Sequence, residues 1–364
     1  DGTCTANISS LNGGQFGNRN KLINGGMQIA QRGTSITTGD NAEHYTMDRW
    51  ALYVQNSNSR FTVTQSTDTP DGFGNSLKID CTTADTSTAS NEEVQFQQKI
   101  EGFNTQDFAK GTSSAKQYTL SFYLKTTKTG TYIVNLLGRD NTTSNVAASY
   151  TVSDTNWNRY TITFPADTNT NRTDNNDNGE ALRVVWWLVA GSAVQSGSLG
   201  TTWANSSDAG RATGQVNFAD STSNDWYITG CQLEVGSVAT DFEHRSFAQE
   251  LALCQRYYVS YPAGYIGGGR GGSGGSLLLY NYYLPTPLRG SPTFEPSSGW
   301  SSSNGIRAYK YNGQSDSTNT PTLGSGGYIA NSTFVYTSMA GHSIDDDRVA
   351  SFTHNNTLAL NAEL

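Results

Sequence analysis

The side chains that most often carry catalysis are dispersed along this sequence. No G-x-S-x-G elbow, phosphate-binding loop, H-E-x-x-H pair or dinucleotide fingerprint occurs in the context that its chemistry needs. Each histidine lies in a different segment, and isolated histidines of this kind are more typical of hydrogen-bonded surface residues than of a base or a metal ligand. They are His44, His244, His342 and His354. The sequence therefore predicts no nucleophilic, phosphoryl-transfer or zinc chemistry.

Paired carboxylates are the one catalytic arrangement that the sequence leaves open. Two carboxyl groups about 5 to 10 Å apart can cleave a glycosidic bond, and the candidates are Glu92, Glu93, Asp140 and Glu180. Sequence positions do not determine the distances between these acids. The three consecutive acids at residues 345–347 could contribute to a calcium site, but such a triplet without a series of ligands along a loop is typical of a solvated turn. We predict no enzyme activity, no metal and no cofactor.

Aromatic side chains suggest recognition instead of catalysis. Sugars present apolar C–H faces that stack on exposed indole and phenol rings, while amides and carboxylates bind their hydroxyl groups. Trp186 and Trp187 are adjacent in a predicted strand, so one should face outward if the other faces the core. Trp203 lies in a polar loop, and Trp300 lies in the segment SSGWSSSNG. These four tryptophans are the candidates for glycan contact, and the alternative for each is packing at a sandwich edge or a subunit contact.

One helix stands out among the elements that must position these side chains. Residues 226–235 alternate and are rich in β-branched and aromatic residues, which predicts a strand. Residues 246–259 follow a helical period instead, and Ser246 with Gln249 matches a capping box. The apolar stripe of this helix consists of Phe247, Leu251, Cys254 and Tyr258. A single amphipathic helix between β-rich regions must bury its stripe, so it is either the joint between two sandwiches or a subunit contact.

The region of residues 21–245 predicts an antiparallel β-sandwich, most simply a jelly roll. Its strands are bounded by Gly, Pro, Asn or Asp clusters. They include residues 60–65, 76–81, 94–99, 118–125, 131–137, 159–164, 182–189 and 226–235. The tract at residues 167–180 has almost no apolar residue and predicts a solvated loop. Residues 1–20 form a Gly/Asn-rich arm with little to bury, which suits an extended or partner-bound segment.

Residues 260–364 predict a second, small β-domain. The glycine run at residues 264–275 is either a flexible linker or a packed loop that lets backbones approach closely, for instance around a threefold axis. The strand at residues 277–284 is apolar on both faces, which favours burial on trimerisation. The candidates for an oligomer interface are Phe247, Leu251, Tyr258, Leu277, Leu279 and Tyr282. The predicted fold class is all-β: an N-terminal jelly roll, one short linking α-helix and a C-terminal β-domain.

Composition narrows the classes of function. Charged residues make up only 15% of the 364 residues and aromatic residues 11%, a combination more typical of an all-β extracellular or virion surface protein than of a disordered chain. The net charge of -8 argues against a nucleic-acid partner, and no apolar run is long enough to predict membrane insertion.

The cysteines are too far apart in the sequence for a zinc ribbon, and free thiols are favoured over two disulfides. They are Cys4, Cys81, Cys231 and Cys254.

Several segments together resemble a recurrent pattern of bacteriophage tail-fibre and related virion proteins. They are LINGGMQIAQRG with YTMDRW, QLEVGSVATDFEHRSFAQELALCQRYY, and LPTPLRGSPTF. The first domain of such proteins resembles the jelly-roll carbohydrate-binding modules. The resemblance implies a virion surface location and assembly as a homotrimer. Many jelly-roll modules hold a structural calcium with an acidic residue in the last strand, but here Gln232 stands in that strand, so the resemblance does not supply a calcium site.

These observations predict a non-enzymatic bacteriophage virion protein, a trimeric tail fibre or adhesin that contacts the host surface. Residues 1–20 would bind other virion proteins, and a host surface glycan is the candidate ligand. A capsid decoration or head-fibre protein built from the same modules is the first alternative. A tail-associated glycan depolymerase is the second.

Overall fold

The computed structural model describes residues 17–57, 60–261, 264–271, 278–296, 306–309, 315–316, 334–339, 349–354 and 358–364. The predictions for residues 1–16, Leu277, Trp300 and residues 345–347 lie outside this described part. The chain divides into two compact units, one of Asp1–Glu250 with Leu364 and one of Leu251–Glu363. The domain boundaries given above stay a prediction.

The described part of the first unit folds into two antiparallel sheets. In chain order its strands are β1 (Ser35–Thr37), β2 (Ala42–Tyr45), β3 (Ala51–Gln55), β4 (Phe61–Ser66), β5 (Ser76–Cys81), β6 (Glu93–Glu101), β7 (Tyr118–Thr126), β8 (Gly130–Gly138), β9 (Ser144–Val152), β10 (Asn158–Phe164), β11 (Glu180–Ala190), β12 (Ala204–Asn205) and β13 (Asp225–Val235). The six-stranded sheet has the order β1-β4-β5-β13-β7-β10, and the seven-stranded sheet has the order β12-β9-β8-β11-β6-β3-β2.

The alternation of residue types along a strand decides which face of each sheet is buried. In β7, Leu120, Phe122 and Leu124 are buried, whereas Tyr123 and Lys125 are half-buried. Side chains of successive strand residues point to opposite faces, so the first set must lie in the core and the second set on the outer face. Because side chains alternate with a period of two residues, a slip of one residue between neighbouring strands would turn their apolar side chains away from the core, so burial of one face specifies the register.

The inner faces of the two sheets meet in an aromatic core. Phe122 and Trp226 belong to the six-stranded sheet, while Phe96 and Trp186 belong to the seven-stranded sheet. The ring centroids of Phe96 and Trp226 are 5.4 Å apart, as are those of Phe122 and Trp186, and both pairs are edge-to-face. Such pairs contribute about 0.5–1.5 kcal/mol each beyond the area that they bury. The predicted all-β sandwich is therefore confirmed.

The second unit is also built from antiparallel strands in its described part. They are β14 (Tyr258–Tyr261), β15 (Gly264–Gly271), β16 (Leu278–Tyr283), β17 (Thr293–Pro296), β18 (Ile306–Tyr309), β19 (Ser315–Asp316), β20 (Phe334–Met339), β21 (Val349–His354) and β22 (Leu358–Asn361). They form the sheets β14-β22-β17 and β19-β18-β21-β15-β16-β20. The glycine-rich β15 pairs with β21 and β16 on its two sides, so the linker and packed-loop interpretations are both wrong for residues 264–271. Backbone hydrogen bonds hold this segment extended although it is rich in glycine.

Two helices accompany the strands among the described residues: α1 (Ser192–Gln195) and α2 (Phe247–Gln255). The capping box of α2 is present, because the Gln249 N–H donates to Ser246 Oγ (3.4 Å) and the Ser246 N–H donates to Gln249 Oε1 (3.1 Å). The helix is shorter than the predicted 246–259, since Tyr258 begins strand β14. Aromatic and β-branched residues at 257–259 favour the strand over a further helical turn. No helix in the described part is long and apolar enough to span a bilayer.

Replacing Ser246 by alanine should lower the free energy of unfolding by about 1 kcal/mol, because the first turn of α2 loses its side-chain acceptor. Denaturant unfolding followed by circular dichroism measures this difference. Ser237→Ala is a matched control, because Ser237 is exposed outside the helix, and it should change stability by less than about 0.5 kcal/mol. Equal stabilities of the two variants would show that the capping box contributes nothing.

Candidate functional site

The structure buries two of the four tryptophans chosen as glycan contacts, Trp186 and Trp187. Trp186 lies in the core, as the alternation of β11 requires. Trp187 does point to the outer face of the seven-stranded sheet, but Val194 of α1 and Ala212 pack in the same buried cluster and cover it. Trp187 therefore faces outward as predicted, but it is not available for glycan contact, because the strand period gives the direction of a side chain and not what lies above it.

Trp187 is held by polar contacts as well as by packing. Its indole N–H donates to Asn135 Oδ1. The Arg211 guanidinium carbon lies 5.1 Å from the centroid of the ring, which is a cation–π contact. This surface of the indole is therefore occupied by the protein itself, and Trp187 serves the fold.

Trp203 is half-buried and also engaged within the protein. Its indole N–H donates to the Pro165 carbonyl (2.8 Å), and its ring centroid lies 6.0 Å from that of Tyr118 and 5.6 Å from Lys110 Nζ. The packing alternative therefore describes Trp203 better than glycan contact does.

The oligomer candidates fall into three groups. Phe247 is 60% exposed on α2 and Leu251 is half-buried, whereas Tyr258 is buried in the structure of the single chain. Leu279 and Tyr282 lie in β16, where they pair with Ser338 and Val335 of β20. Among the candidates whose side chains the structure describes, Phe247 is the most exposed and is accessible to a second copy. The interface itself stays a prediction.

A row of aromatic and basic residues crosses the outer face of the six-stranded sheet. Tyr227 of β13 is the register partner of Lys78 on β5 and of Lys125 on β7. Trp157 immediately precedes β10, the strand beside β7. We call these four residues the aromatic–lysine row, and all four side chains are half-buried.

The two lysines of the row flank the central ring. The ammonium nitrogen of Lys78 lies 5.6 Å from the centroid of the Tyr227 ring, and that of Lys125 lies 5.4 Å from it. The rings of Trp157 and Tyr227 are 6.3 Å apart between centroids and inclined by 67°. Cation–π attraction stabilises this arrangement, since a ring face attracts positive charge within about 6 Å.

Carboxylates fix the row in place. Asp68 accepts one hydrogen bond from Lys125 Nζ (2.6 Å) and another from the Trp157 indole N–H (2.9 Å), so one carboxylate orients both residues. The hydrogen bond from Lys125 holds the pKa of Asp68 below its ordinary value. At the other end, Lys78 Nζ lies 2.9 Å from Asp225 Oδ1. Burial raises the pKa of Tyr227, and the Asp225 charge adds to the increase, so this phenol stays neutral and able to donate.

The aromatic surface continues from the row toward the loop that carries Phe73. The ring centroid of Phe73 is 5.3 Å from that of Tyr123 and 5.1 Å from that of Phe242. Gly230 makes this approach possible, because a Cβ at that position would lie 2.7 Å from Phe73 Cζ, and its φ of +62° is left-handed. The register of β13 against β7 shifts at this same place. Half-buried rings thus lie both in the aromatic–lysine row and around Phe73, on the outer face of the six-stranded sheet.

The acids considered for glycoside cleavage are each engaged in local structure. Glu92 accepts from the Ala89 N–H, Glu93 from Gln95 Nε2, Asp140 from Asn175 and Glu180 from Arg183. Within the described part of the chain, no three His, Cys, Asp or Glu side chains are grouped in a way that could hold a metal ion. The hydrogen bonds of these four carboxylates stabilise local loops and the ends of strands.

Gln232, which replaces an acid in the last strand, has a structural role. Its amide nitrogen donates to Glu234 Oε1 (2.9 Å) and Thr240 Oγ1 (3.1 Å), and its oxygen accepts the Glu243 N–H (2.8 Å). A neutral amide therefore links β13 to the segment that follows it. Three cysteines are described, and each is buried and outside any disulfide, as predicted: Cys81, Cys231 and Cys254.

Sequence reasoning missed the aromatic–lysine row. Trp157 lies in the polar segment SDTNWN and could have been selected by the same criterion as Trp203. The other three residues gave no such signal, because each is an ordinary outward residue of its own strand. Their grouping exists only in the register of the sheet.

Comparisons with known proteins found similar solved structures. No family model matches the chain, and no curated protein matches it. A solved putative sugar-binding protein from Bacteroides thetaiotaomicron is 13% identical, with a TM-score of 0.33, over 60% of this chain and 100% of that one. The C-terminal family 22 carbohydrate-binding module of Clostridium thermocellum Xyn10B is 14% identical, with a TM-score of 0.29, over 55% of this chain and 98% of that one. The family 11 module of the C. thermocellum cellulase Lic26A-Cel5E is 11% identical, with a TM-score of 0.28, over 56% and 98%.

These comparisons concern the fold alone. The chain contains a β-sandwich. Carbohydrate-binding modules are among the solved structures that it resembles.

Proposed function

We propose that this protein is a non-catalytic glycan-binding protein and that the aromatic–lysine row contacts the saccharide. The observation that carries the proposal is the alignment of Lys78, Tyr227, Lys125 and Trp157 across neighbouring strands of one sheet face. Neighbouring strands are about 4.8 Å apart, so four of them span about 14 Å, enough for a short oligosaccharide. Two rings supply stacking surfaces, and ammonium and carboxylate groups beside them bind hydroxyls.

The charges of the row favour a neutral saccharide. The two ammonium groups face the carboxylates of Asp68, Asp80 and Asp225, with Nζ to Oδ distances of 2.6 to 3.8 Å. The lysine charges are therefore compensated within the protein, and the chain as a whole carries a net charge of -8. An anionic glycan would gain no net attraction from such a surface.

A glycan array with the purified full-length chain tests this function. We expect retention on neutral oligosaccharides and weaker retention on sulfated or uronic acid glycans. Incubation of the chain with a retained polysaccharide should release no new reducing ends. An array without any retained glycan would contradict the proposal, and new reducing ends would instead support the depolymerase alternative.

We further propose that the protein is exposed on a bacteriophage virion, as a homotrimeric tail fibre or adhesin with residues 1–20 bound to other virion proteins. The support for this part is the resemblance of the sequence segments 22–33, 45–50, 232–258 and 284–294 to virion proteins. Labelled antibody at the tail is expected in electron micrographs of the particle. Labelling of capsid facets or vertices would favour the capsid decoration alternative.

Trimer formation can be measured separately from location. Sedimentation equilibrium should give three times the chain mass of 39.2 kDa. Phe247 is 60% exposed on α2, so its ring is accessible for a contact through this helix. Phe247→Asp should shift the equilibrium toward monomer, whereas Phe103→Asp, at another exposed phenylalanine, should not. A wild-type monomer at all concentrations would contradict the trimer.

A further inference from the structure

A polar depression lies beside the end of the seven-stranded sheet. A depression of about 590 Å³ opens there between the β8–β9 turn, the β10–β11 loop and β12. Its lining consists of asparagine and threonine side chains, among them Asn141, Thr142, Asn171 and Asn205. The volume is within the range of small-ligand sites, about 300–1,000 Å³.

Buried ion pairs hold the wall of this depression rigid. The side chain of Lys110 is only 1% exposed, and its Nζ donates to the Arg172 carbonyl (2.7 Å) and to Asp174 Oδ1 (3.0 Å). Arg172 Nη1 in turn lies 3.3 Å from Asp167 Oδ1. Residues 167–180, which were predicted as a solvated loop, are therefore held to the protein by ion pairs at three positions: Asp167, Arg172 and Asp174. Residues 168–171 and 175–178 of the tract are exposed.

The anchors also orient the amides of the lining. Asn205 Oδ1 accepts from Arg172 Nε (3.1 Å) and Nη2 (3.0 Å), which directs the Asn205 amide nitrogen away from the guanidinium. Asn141 Nδ2 donates to the Thr173 carbonyl (3.0 Å) and Thr173 Oγ1 (2.8 Å), which leaves its carbonyl oxygen as the acceptor on the other side. Among the lining side chains, the Asn205 amide nitrogen is thus oriented as a donor and the Asn141 carbonyl oxygen as an acceptor, and threonine residues lie in the same lining.

The lining selects the chemical class of the ligand. It contains no carboxylate, the side chain that hard cations such as Ca²⁺ favour, and no lysine or arginine, the side chains that form the strongest hydrogen bonds to carboxylates and phosphates. Amides and hydroxyls offer both donors and acceptors, and a sugar hydroxyl needs both at once. We propose that this depression binds one neutral, polyhydroxylated sugar unit, independently of the aromatic–lysine row.

Ligand-observed NMR of the full-length chain with single methyl glycosides tests this site. Saturation transfer is measured with the methyl glycosides of glucose, galactose, mannose and N-acetylglucosamine, and methyl phosphate serves as the anionic comparison. Transfer to at least one glycoside and none to methyl phosphate is expected. Absence of transfer to all four glycosides overturns the proposal.

Variants locate the binding. Asn171→Trp fills the depression from an exposed position and should abolish the transfer, while Asn91→Trp, an exposed asparagine on another loop, should leave it unchanged. Both variants are made in the Tyr227→Ala background, so that the row contributes no transfer of its own. Transfer that survives Asn171→Trp in this background overturns the proposal, and transfer already absent in Tyr227→Ala alone also overturns it and assigns the ligand to the row. If the array retained no glycan, the proposal for the aromatic–lysine row would be contradicted, but the effect of Asn171→Trp on saturation transfer would still test the depression. The two proposals are therefore tested separately.

Discussion

Replacing Tyr227 by alanine is expected to weaken oligosaccharide binding by about thirtyfold. This ring is the centre of the aromatic–lysine row, and its loss removes the stacking surface together with the cation–π partner of both lysines. Truncation of a central aromatic anchor costs about 2 kcal/mol or more in binding free energy, which corresponds to that factor. Isothermal titration with a glycan retained on the array measures the change.

Tyr227→Phe and Tyr53→Ala are the controls for this result. The Tyr227 hydroxyl lies 3.4 Å from Asp225 Oδ2, a long contact, so Tyr227→Phe should keep most of the affinity. Tyr53 is a half-buried tyrosine of β3 in the other sheet, and its removal should leave binding unchanged. Loss of binding in Tyr53→Ala with retention in Tyr227→Ala would place the ligand on the seven-stranded sheet and contradict the assignment.

Replacing Trp187 by alanine is expected to lower the free energy of unfolding by about 3–5 kcal/mol, as is usual for a buried tryptophan. The substitution leaves a cavity beneath residues 191–212 and removes the indole donor from Asn135. For a unit of this size the midpoint of thermal unfolding should fall by about 10 °C. Differential scanning calorimetry measures the midpoint.

Trp157→Ala is the matched substitution, because Trp157 is half-buried on the opposite sheet. It should weaken glycan binding and change stability much less than Trp187→Ala does. If Trp187 were instead an exposed contact, as the sequence suggested, its removal would weaken binding at little cost in stability. The pair of variants therefore separates a structural indole from a binding one.

The strands of the sandwich could be predicted where large apolar residues alternate. Residues 76–81 match β5 at both ends, and residues 118–125 and 159–164 lie within β7 and β10. Strand β9 was missed, because its sequence SNVAASYTV contains two adjacent alanines and few large apolar residues. Such a strand is stabilised by pairing with β8 along its whole length and not by its own propensity.

The sequence by itself determined the sheet-rich architecture and the capping box of α2, because these depend on residues close together in the chain and on a period of two or 3.6. Tertiary structure decided the rest. The aromatic–lysine row joins residues from 78 to 227 through strand register, and residues 191–212 cover Trp187 from above. Neither arrangement has a local signal, since which side chains meet across a sheet, and which are shielded from water, depends on packing between distant segments.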